Sequence, residues 1–417
     1  MNLQELNVAI VDPVISPRYL ATELRRHKVR VICITSFSDF SRLSSNNRID
    51  PSLYDEVITI PSLDEEGFRS VATQLRARKI SLVIYGYEHS VWIADQIKRF
   101  TFPNSDSDYQ TSAARSDKFI MQEAIRRCDI PSVRQLRINN RELTVSQAAE
   151  LKAWKAPLFV KPIDGVCSLS AKACATVDDV EAFLKQDQGR GMLNQNRFTD
   201  FVVQEQLDGD EYFVDTVSLD GRHQVASVQR YRKDMFKGSP IYRHIEILQS
   251  ASSEYKLCSA YVLAVLQAVK LRDGFGHTEI FLTQNGPRLI EVNPRISGTA
   301  GFINKLTRTC TGLDQPTLLV DMMQGIMSSK ESLRSEGYVM ILQKWAPGTI
   351  GEFQTDLVRS LVSYVDHVVL KSPGTQVGLP ETLLDSVAYV LISHADPVRL
   401  QHDYATLQSM EAAGVLF

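Results

Sequence analysis

Short apolar runs alternate with helix-spaced segments along the first hundred residues. The runs are rich in β-branched residues, which favour buried strands. The segments between them repeat apolar residues every three or four positions, as amphipathic helices do. This alternation predicts an open parallel sheet with helices on both faces. The predicted strands lie at 7–11, 30–35, 56–60 and 81–86.

The pattern changes after a polar, turn-rich segment at 100–112, which predicts a domain boundary. No G-x-G-x-x-G follows the first strand, so a dinucleotide site is not supported there. The pattern is mixed over residues 131–201. From Phe201 the strands become amphipathic, and we expect them to be antiparallel. Residues 331–417 predict a further α+β unit.

Composition and charge exclude several classes of protein. The chain has 417 residues, with 46 Lys plus Arg against 49 Asp plus Glu and a net charge of −3. That balance gives no electrostatic reason to expect binding to nucleic acid or to a membrane surface. No apolar run reaches the ~18 residues of a membrane span. The 6 cysteines form no CxxC pair, so we expect free thiols in a reducing cytoplasm. A cytoplasmic, multidomain enzyme is the class that remains.

The densest set of candidate ligands lies in a predicted hairpin at 277–298. Side chains alternate along a strand, so Glu291, Asn293 and Arg295 share one face. Glu279, on the other arm, is within reach of the same face. Two carboxylates and an amide oxygen suit Mg²⁺, and the arginine suits a phosphate or a carboxylate. Either glutamate alone would more often belong to a solvated strand face, so the prediction depends on the whole row.

Two weaker motifs precede this hairpin. Lys161 ends an apolar strand before a loop of small residues at 165–170, which would let an ammonium group and backbone N–H groups close over phosphates. It is not a Walker A motif, because no G-x-x-x-x-G-K-[ST] occurs in the chain. QEQL at 204–207 ends a strand before a turn at Gly209, where backbone could meet adenine and Glu211 a ribose. Each motif alone also suits an ordinary strand end or hairpin.

These motifs, in this order and with Lys118 ahead of them, resemble the ATP-grasp superfamily. The resemblance is closest to the L-amino-acid ligases, which are carboxylate–amine ligases, and it covers nearly the whole chain. HTEI followed by IEVNPRISG is its most specific part. It implies a mixed α/β and α+β multidomain fold: a Rossmann-like parallel-sheet domain, an ATP-grasp domain with a small lid, and a C-terminal α+β domain. The corresponding boundaries are 1–112, 113–330 with the lid at about 131–201, and 331–417.

The resemblance also implies roles for individual residues. Glu279, Glu291 and Asn293 would bind two Mg²⁺ ions, which Mn²⁺ could replace. Arg295 would stabilise the negative charge of acyl transfer, and Lys161 is the second implied catalytic residue. Ser170 stands where the phosphate loop of this family usually has a glycine. The implied ATP-binding residues are Lys118, Lys161, Gly165, Ser168, Gln204, Glu205, Leu207, Glu211 and Lys233.

Contacts with the substrates are implied less specifically. Glu88 follows the fourth strand, where family members use an acidic residue to bind the amino group of the first substrate. It equally suits a charge at a helix N-terminus. His244 fits a substrate contact and a surface position equally well. Gly298 and Thr299, with Arg295, would line the first-substrate pocket, where threonine leaves more room than an aromatic residue.

We therefore expect an ATP-dependent ligase that joins two amino acids, or amino-acid-like molecules, through an acyl phosphate and releases ADP and phosphate. Its partners would be small molecules, as in the enzymes that make bacterial antimetabolite dipeptides, and the chain could form a homodimer. The alternative is an ATP-grasp ligase with a non-peptide nucleophile, of the purine-synthesis or carboxylase type. A nucleotide-binding regulator without chemistry is a third class, and the intact motif residues argue against it.

Overall fold

The computed structural model describes residues 6–37, 48–103, 109–165, 169–189, 197–236, 239–326 and 333–417. Its N-terminal part is a four-stranded sheet in which every neighbouring pair is parallel, which confirms the predicted open parallel sheet. The strands are β1 Asn7–Val11, β2 Arg30–Thr35, β3 Glu56–Thr59 and β4 Leu82–Tyr85, in the order β3-β2-β1-β4. The helices around them are α1 Pro17–Arg26, α2 Glu65–Ala77 and α3 Val91–Thr101.

Burial explains why the strand runs of this sheet are continuously apolar. Val8, Ala9, Ile10 and Val11 of the central strand β1 are all inaccessible to solvent, because helices cover the sheet. Glu88 comes directly after β4, in a short 3₁₀ turn before α3. The carboxyl edge of the sheet therefore presents this carboxylate to the rest of the molecule.

A second, smaller sheet forms the region that the sequence assigns to the lid. Its strands are β5 Gln135–Ile138, β6 Leu158–Pro162, β7 Lys172–Cys174 and β8 Phe201–Glu205, in the order β5-β8-β6-β7. Its helices, α5 Val145–Ala153 and α6 Val177–Gln186, both begin with a capping box, at Thr144 and Thr176. An apolar cluster that includes Leu151, Val180 and Phe201 gives this sheet a core of its own.

The largest sheet has eight strands, and all its neighbouring pairs are antiparallel, as the amphipathic pattern after Phe201 predicts. Two further short strands, β15 Gly348–Thr349 and β17 Gln376–Val377, pair with each other in a separate two-stranded sheet. The eight strands are β9 Asp210–Leu219, β10 Arg222–Phe236, β11 Ser239–Ile247, β12 Gly274–Thr283, β13 Gly286–Asn293, β14 Glu336–Leu342, β16 Tyr364–Val369 and β18 Ala388–His394. Their order is β13-β12-β9-β10-β11-β14-β18-β16.

Three strands of this sheet, β14, β16 and β18, come from the last ninety residues. β11 pairs with β14 and places His244 opposite Met340. The sheet is therefore continuous across the boundary predicted at 330, and the domain limits stay a prediction. The remaining helices are α4 Lys118–Arg126, α7 Ser253–Ala268, α8 Phe302–Thr311, α9 Gln315–Met323, α10 Thr355–Arg359 and α11 Pro397–Ala412.

The two faces of the large sheet are covered by different helices. α7 packs on one face, where it shares a core with Val214 and Ile280. α8 packs on the other face, against Phe213 and Tyr231. α11 covers strands β14 and β18 on the face opposite α8. No helix in the described ranges is long and apolar enough to span a bilayer.

Candidate active site

Glu279 and Glu291 lie directly opposite each other on the paired strands β12 and β13. His277 and Asn293 form the next paired position, and Phe213 of β9 lies opposite Glu279 on its other side. Paired residues share one face of a sheet, and Phe213 places this row on the face that α8 covers. The strand register therefore brings both carboxylates and the Asn293 amide together.

This donor set fits a hard divalent cation. Carboxylate and amide oxygens are the ligands that Mg²⁺ prefers, and Mg²⁺ usually completes its coordination with water and substrate phosphates. Among the described residues, no cluster of three or more His, Cys, Asp or Glu side chains could hold a metal by itself. Two carboxylates and an amide leave coordination positions that water and substrate phosphates could fill.

Two lysines converge on Glu291 from different elements. Lys118, the first residue of α4, lies 2.6 Å from Glu291 Oε2 and donates to the Gly165 carbonyl at 2.6 Å. Lys161 Nζ, at the end of β6, donates to the Ile290 carbonyl at 3.4 Å. Burial opposes the charged form of Glu291, but the two lysines outweigh it and lower its pKa to about 2. Burial also lowers the pKa of Lys161, to about 8, against the attraction of Glu291.

A buried histidine, which the sequence analysis did not assign, holds the other carboxylate. His277 Nε2 lies 3.3 Å from Glu279 Oε1, and its Nδ1 lies 2.8 Å from Asp215 Oδ1. Ser297 Oγ donates to the second Asp215 oxygen at 2.5 Å. Burial alone would lower the pKa of His277, but Asp215 and Glu279 raise it to about 9. The imidazolium therefore lies between two carboxylates.

Glu211 and Lys233, the expected ribose and γ-phosphate contacts, form an ion pair on the same face. Lys233 Nζ lies 2.5 Å from Glu211 Oε2, and the Tyr242 hydroxyl donates to Oε1 at 3.3 Å. Burial raises the pKa of Glu211, Lys233 lowers it, and the nearby Glu279 raises it further. The structure thus links the β9–β10 end of the predicted site to the metal carboxylates.

The expected adenine contacts lie at the seam between the lid sheet and the large sheet. Gln204 is buried, and its Nε2 donates to Gln135 Oε1 at 3.2 Å. The Glu205 N–H donates to the Arg134 carbonyl at 3.1 Å. Leu207 is half-buried just beyond β8, three residues before β9 begins. Any movement of the lid sheet relative to the large sheet would act on this segment.

Glu88 and Arg295 come from distant parts of the chain and meet in an ion pair. The guanidinium Nη2 and Nε both lie 2.5 Å from Glu88 Oε1. Glu88 is buried, and no described residue donates a hydrogen bond to its Oε2. A cleft between the N-terminal and large sheets is lined by Glu88, Lys118, Glu291 and Asn293. The carboxylate expected to bind a substrate amino group therefore lies beside the expected metal ligands and Arg295.

The loop after Arg295 is held against α1. Ser16 Oγ, at the start of α1, donates to the carbonyls of Ser297 at 2.9 Å and Gly298 at 3.2 Å. Thr299 has a φ of 53°, unusual for a β-branched residue, and its hydroxyl donates to the Gly298 carbonyl at 2.7 Å. The expected first-substrate residues Gly298 and Thr299 therefore sit on a fixed and strained turn.

The structure does not bring every expected residue to this site. His244 pairs with Arg232 and Tyr242 pairs with Lys233, so Arg243 forms a bulge between them. Tyr242 consequently faces Glu211, whereas His244 faces α11 and contacts Tyr404, with ring centroids 4.9 Å apart. His244 thus lies on the opposite face of the sheet, and the substrate contact expected for it has no support in this arrangement. Ser168 lies outside the described residues.

Comparison with known proteins agrees with this geometry. Residues 197–343 match the family described as ATP-grasp in the biosynthetic pathway with Ter operon. The L-amino acid ligase of Bacillus licheniformis superposes with a TM-score of 0.73, at 16% identity, over 97% of both chains. The chain therefore has the ATP-grasp fold. Another solved ATP-grasp neighbour is the N5-carboxyaminoimidazole synthase of Aspergillus clavatus, with a TM-score of 0.69, 14% identity and coverage of 98% and 99% of the two chains.

Two curated relatives match about half of this chain. Dapdiamide A synthase of Enterobacter agglomerans is 28% identical over 246 residues, which is 55% of this chain and 54% of the relative. The L-arginine-specific L-amino acid ligase of Bacillus subtilis is 26% identical over 191 residues, or 46% and 45% of the two chains. The chain thus matches about half the length of these relatives. The structural matches establish the fold.

Proposed function

We propose that this protein is an ATP-dependent carboxylate–amine ligase that joins two amino acids, or amino-acid-like molecules, by an amide bond. The observation that carries the proposal is the convergence of two lysines on Glu291, opposite Glu279, beside the Glu88–Arg295 pair. The lysines suit a polyphosphate, the carboxylates suit its metal, and the Glu88–Arg295 pair suits an amino acid. Dapdiamide A synthase and the L-arginine-specific ligase support this class of reaction.

The nucleotide would bind between the lid sheet and the large sheet. Lys118, Lys161 and Lys233 would face the phosphates, and the loop that begins at Gly165 would close over them. Gln204 and backbone groups of Glu205 and Leu207 would meet adenine, with Glu211 on the ribose. Glu279, Glu291 and Asn293 would hold two Mg²⁺ ions, which neutralise charge on the phosphate oxygens during transfer.

The chemistry would then proceed in two steps. A carboxylate oxygen of the first amino acid attacks the γ-phosphorus of ATP and the bond from that phosphorus to the β–γ bridging oxygen breaks, which gives an acyl phosphate and ADP. The neutral amine of the second amino acid attacks the acyl carbon, the carbon–oxygen bond to phosphate breaks, and the amine loses one proton. Arg295 would stabilise the oxyanion of the tetrahedral intermediate.

Glu88 has two roles in this proposed mechanism, one for each oxygen of its carboxylate. Its Oε1 fixes the Arg295 guanidinium, and its buried Oε2, which receives no hydrogen bond from the described residues, is available to an ammonium group. A buried carboxylate oxygen without a donor is costly, and a bound substrate ammonium would remove that cost. The first amino acid would thereby be oriented with its carboxylate toward the phosphates.

A phosphate-release screen over pairs of amino acids tests the proposal. At least one pair should release phosphate and yield a new amide detectable by mass spectrometry, and each amino acid alone should release little. Aminoimidazole ribonucleotide with bicarbonate, and phosphoribosylamine with glycine, serve as the alternative substrates. Phosphate release with these compounds and with no amino-acid pair would assign the protein to the purine type instead.

A further inference from the structure

A chain of buried polar contacts connects the metal carboxylate Glu279 to the loop that carries Arg295. Its members are Asp215, His277 and Ser297, which we call the positioning relay. The imidazole of His277 bridges Glu279 and Asp215, at 3.3 Å and 2.8 Å, and Ser297 Oγ reaches Asp215 at 2.5 Å. All three residues are at most 3% exposed. None of them belongs to the set proposed to touch nucleotide, metal or substrate.

The Ser297 end of the positioning relay is also held by hydrogen bonds, which it makes with Gln315. Gln315 Oε1 accepts from the Ser297 N–H at 3.1 Å, and Gln315 Nε2 donates to the carbonyls of Thr216 and Gly276 at 3.0 Å and 3.1 Å. Asn304 Nδ2 donates to the same Gln315 oxygen at 3.1 Å. The first residue of α9 therefore ties the Ser297 loop to strands β9 and β12, next to Asp215 and His277.

We propose that the positioning relay couples metal binding at Glu279 to the geometry of the loop at 294–301. The proposal rests on the proposed function and adds a coupling between its metal site and its substrate site. Every side chain of the relay has polar contacts on two sides, so we expect a change in the Glu279–His277 contact to reach Asp215 and Ser297. Coupling between two sites is reciprocal, so a change in the loop must alter the affinity for metal.

A purely structural role is the competing explanation. In that case, loss of a relay hydrogen bond would lower stability, and the folded fraction would bind metal as the native protein does. A buried hydroxyl elsewhere on β9 provides the matched control. Ser218 is fully buried, and its Oγ lies 2.8 Å from His223 Nδ1, but it has no link to Glu279. Ser218→Ala should therefore lower stability without altering the metal site.

The test is a Mn²⁺ titration in the presence of ADP, followed by electron paramagnetic resonance, on the full chain and its variants. Asp215→Asn should weaken Mn²⁺ binding about tenfold, as the loss of an outer-shell partner does. Ser297 lies in the loop and contacts none of the expected metal-binding residues, and Ser297→Ala should weaken Mn²⁺ binding about fivefold. Ser218→Ala should bind Mn²⁺ as the native protein does. Native Mn²⁺ affinity in folded Ser297→Ala would overturn the coupling.

A second readout separates positioning from general damage. In the amide-forming reaction, Ser297→Ala should raise the Mg²⁺ concentration needed for half-maximal rate and raise the KM for the first amino acid. Equal loss of kcat in Ser297→Ala and Ser218→Ala, with both constants unchanged, would contradict the coupling. If the native protein binds no Mn²⁺ with ADP and forms no amide, the proposed function is wrong. If the native protein binds Mn²⁺ and forms the amide, and the relay variants do so with the same constants, only the coupling through the positioning relay is wrong.

Discussion

The two ends of the eight-stranded sheet have the same antiparallel strand geometry but carry different side chains on their faces. At the β13–β12–β9 end, the face covered by α8 carries ionisable groups, including Asp215, His277, Glu279 and Glu291. At the β14–β18 end, both faces are apolar, with Val339 and Leu391 toward α8 and Val390 toward α11. Burying charge is costly unless it is paired, so we expect the apolar faces to supply stability and the charged face to serve the proposed chemistry.

The comparison is not absolute, because the apolar end also contains a buried ion pair. Glu411 of α11 lies 2.8 Å from Arg243, the residue at the β11 bulge, and is only 3% exposed. Burial raises the pKa of Glu411, against the effect of Arg243. This glutamate is more buried than Glu279 and Glu291, whose side chains are 21% and 15% exposed, and it lies on α11 rather than on β12 or β13. It therefore serves as a control for the effects of charge removal.

The largest effect should come from Glu291→Gln. The variant loses a proposed metal ligand, and a bound metal stabilises transition-state charge by several kcal/mol, so the rate of amide formation should fall about 10³-fold or more. Glu411→Gln, the control, should lower the melting temperature but keep the activity of the folded fraction. Rate measurements paired with thermal melts check both. Near-native turnover in folded Glu291→Gln would remove the metal assignment.

Arg295→Ala should have the next largest effect. Loss of the cation at the oxyanion should lower kcat by about 10²–10³-fold. Glu88→Gln removes its ion-pair partner and should mainly raise the KM for the first amino acid. Initial rates over a range of amino-acid concentrations separate the two outcomes. A variant at Arg295 with altered KM and unchanged kcat would make this arginine a binding residue only.

Leu391→Ala tests the apolar end. This side chain is fully buried between β18 and α8, and truncation of a buried leucine costs about 2–5 kcal/mol. We expect a lower free energy of unfolding in urea, with an unchanged KM and kcat for the molecules that remain folded. A selective loss of turnover without loss of stability would show that the two ends are not functionally distinct.

The smallest effect concerns the protonation of Lys161. Its pKa of about 8 in the free protein means that the amine is charged below pH 8 and loses its proton above it. A bound phosphate favours the charged form, so nucleotide binding at pH 8 should take up about half a proton, and affinity should fall as the pH rises further. Calorimetry at pH 8 in buffers of different ionisation enthalpy measures this uptake. Lys161→Arg should abolish it, and uptake that persists in that variant would assign the proton to another group.

Strand periodicity predicted part of this site and missed the rest for identifiable reasons. Glu291 and Asn293 could be placed on one face because alternation along a single strand is local. The contact between His277 and Asp215 joins β12 to β9, and nothing local signals a pairing 62 residues apart. The bulge at Arg243 reverses the face of His244, and a period of two cannot reveal an inserted residue.

The overall fold also shows which features local sequence patterns can predict and which they cannot. The parallel sheet at 7–85 follows from apolar runs and intervening helices, and it was predicted correctly. Helix α8 was missed because its Thr and Asn residues have low helix propensity; packing of Phe302 and Leu306 against the sheet stabilises it instead. The continuation of the large sheet into β14 depends on pairing between distant strands, which local patterns along the chain do not reveal.

One measurement tests the central claim most directly: chromatography of the nucleotides and the amide formed in a single reaction mixture. In the proposed site, Glu279 and Glu291 would hold the metal at the phosphates, so attack should fall on the γ-phosphorus. With both amino acids present, we therefore predict ADP and one amide for each ADP, with no AMP. Stoichiometric AMP and pyrophosphate would contradict the acyl-phosphate mechanism and the assignment of the site residues that depends on it.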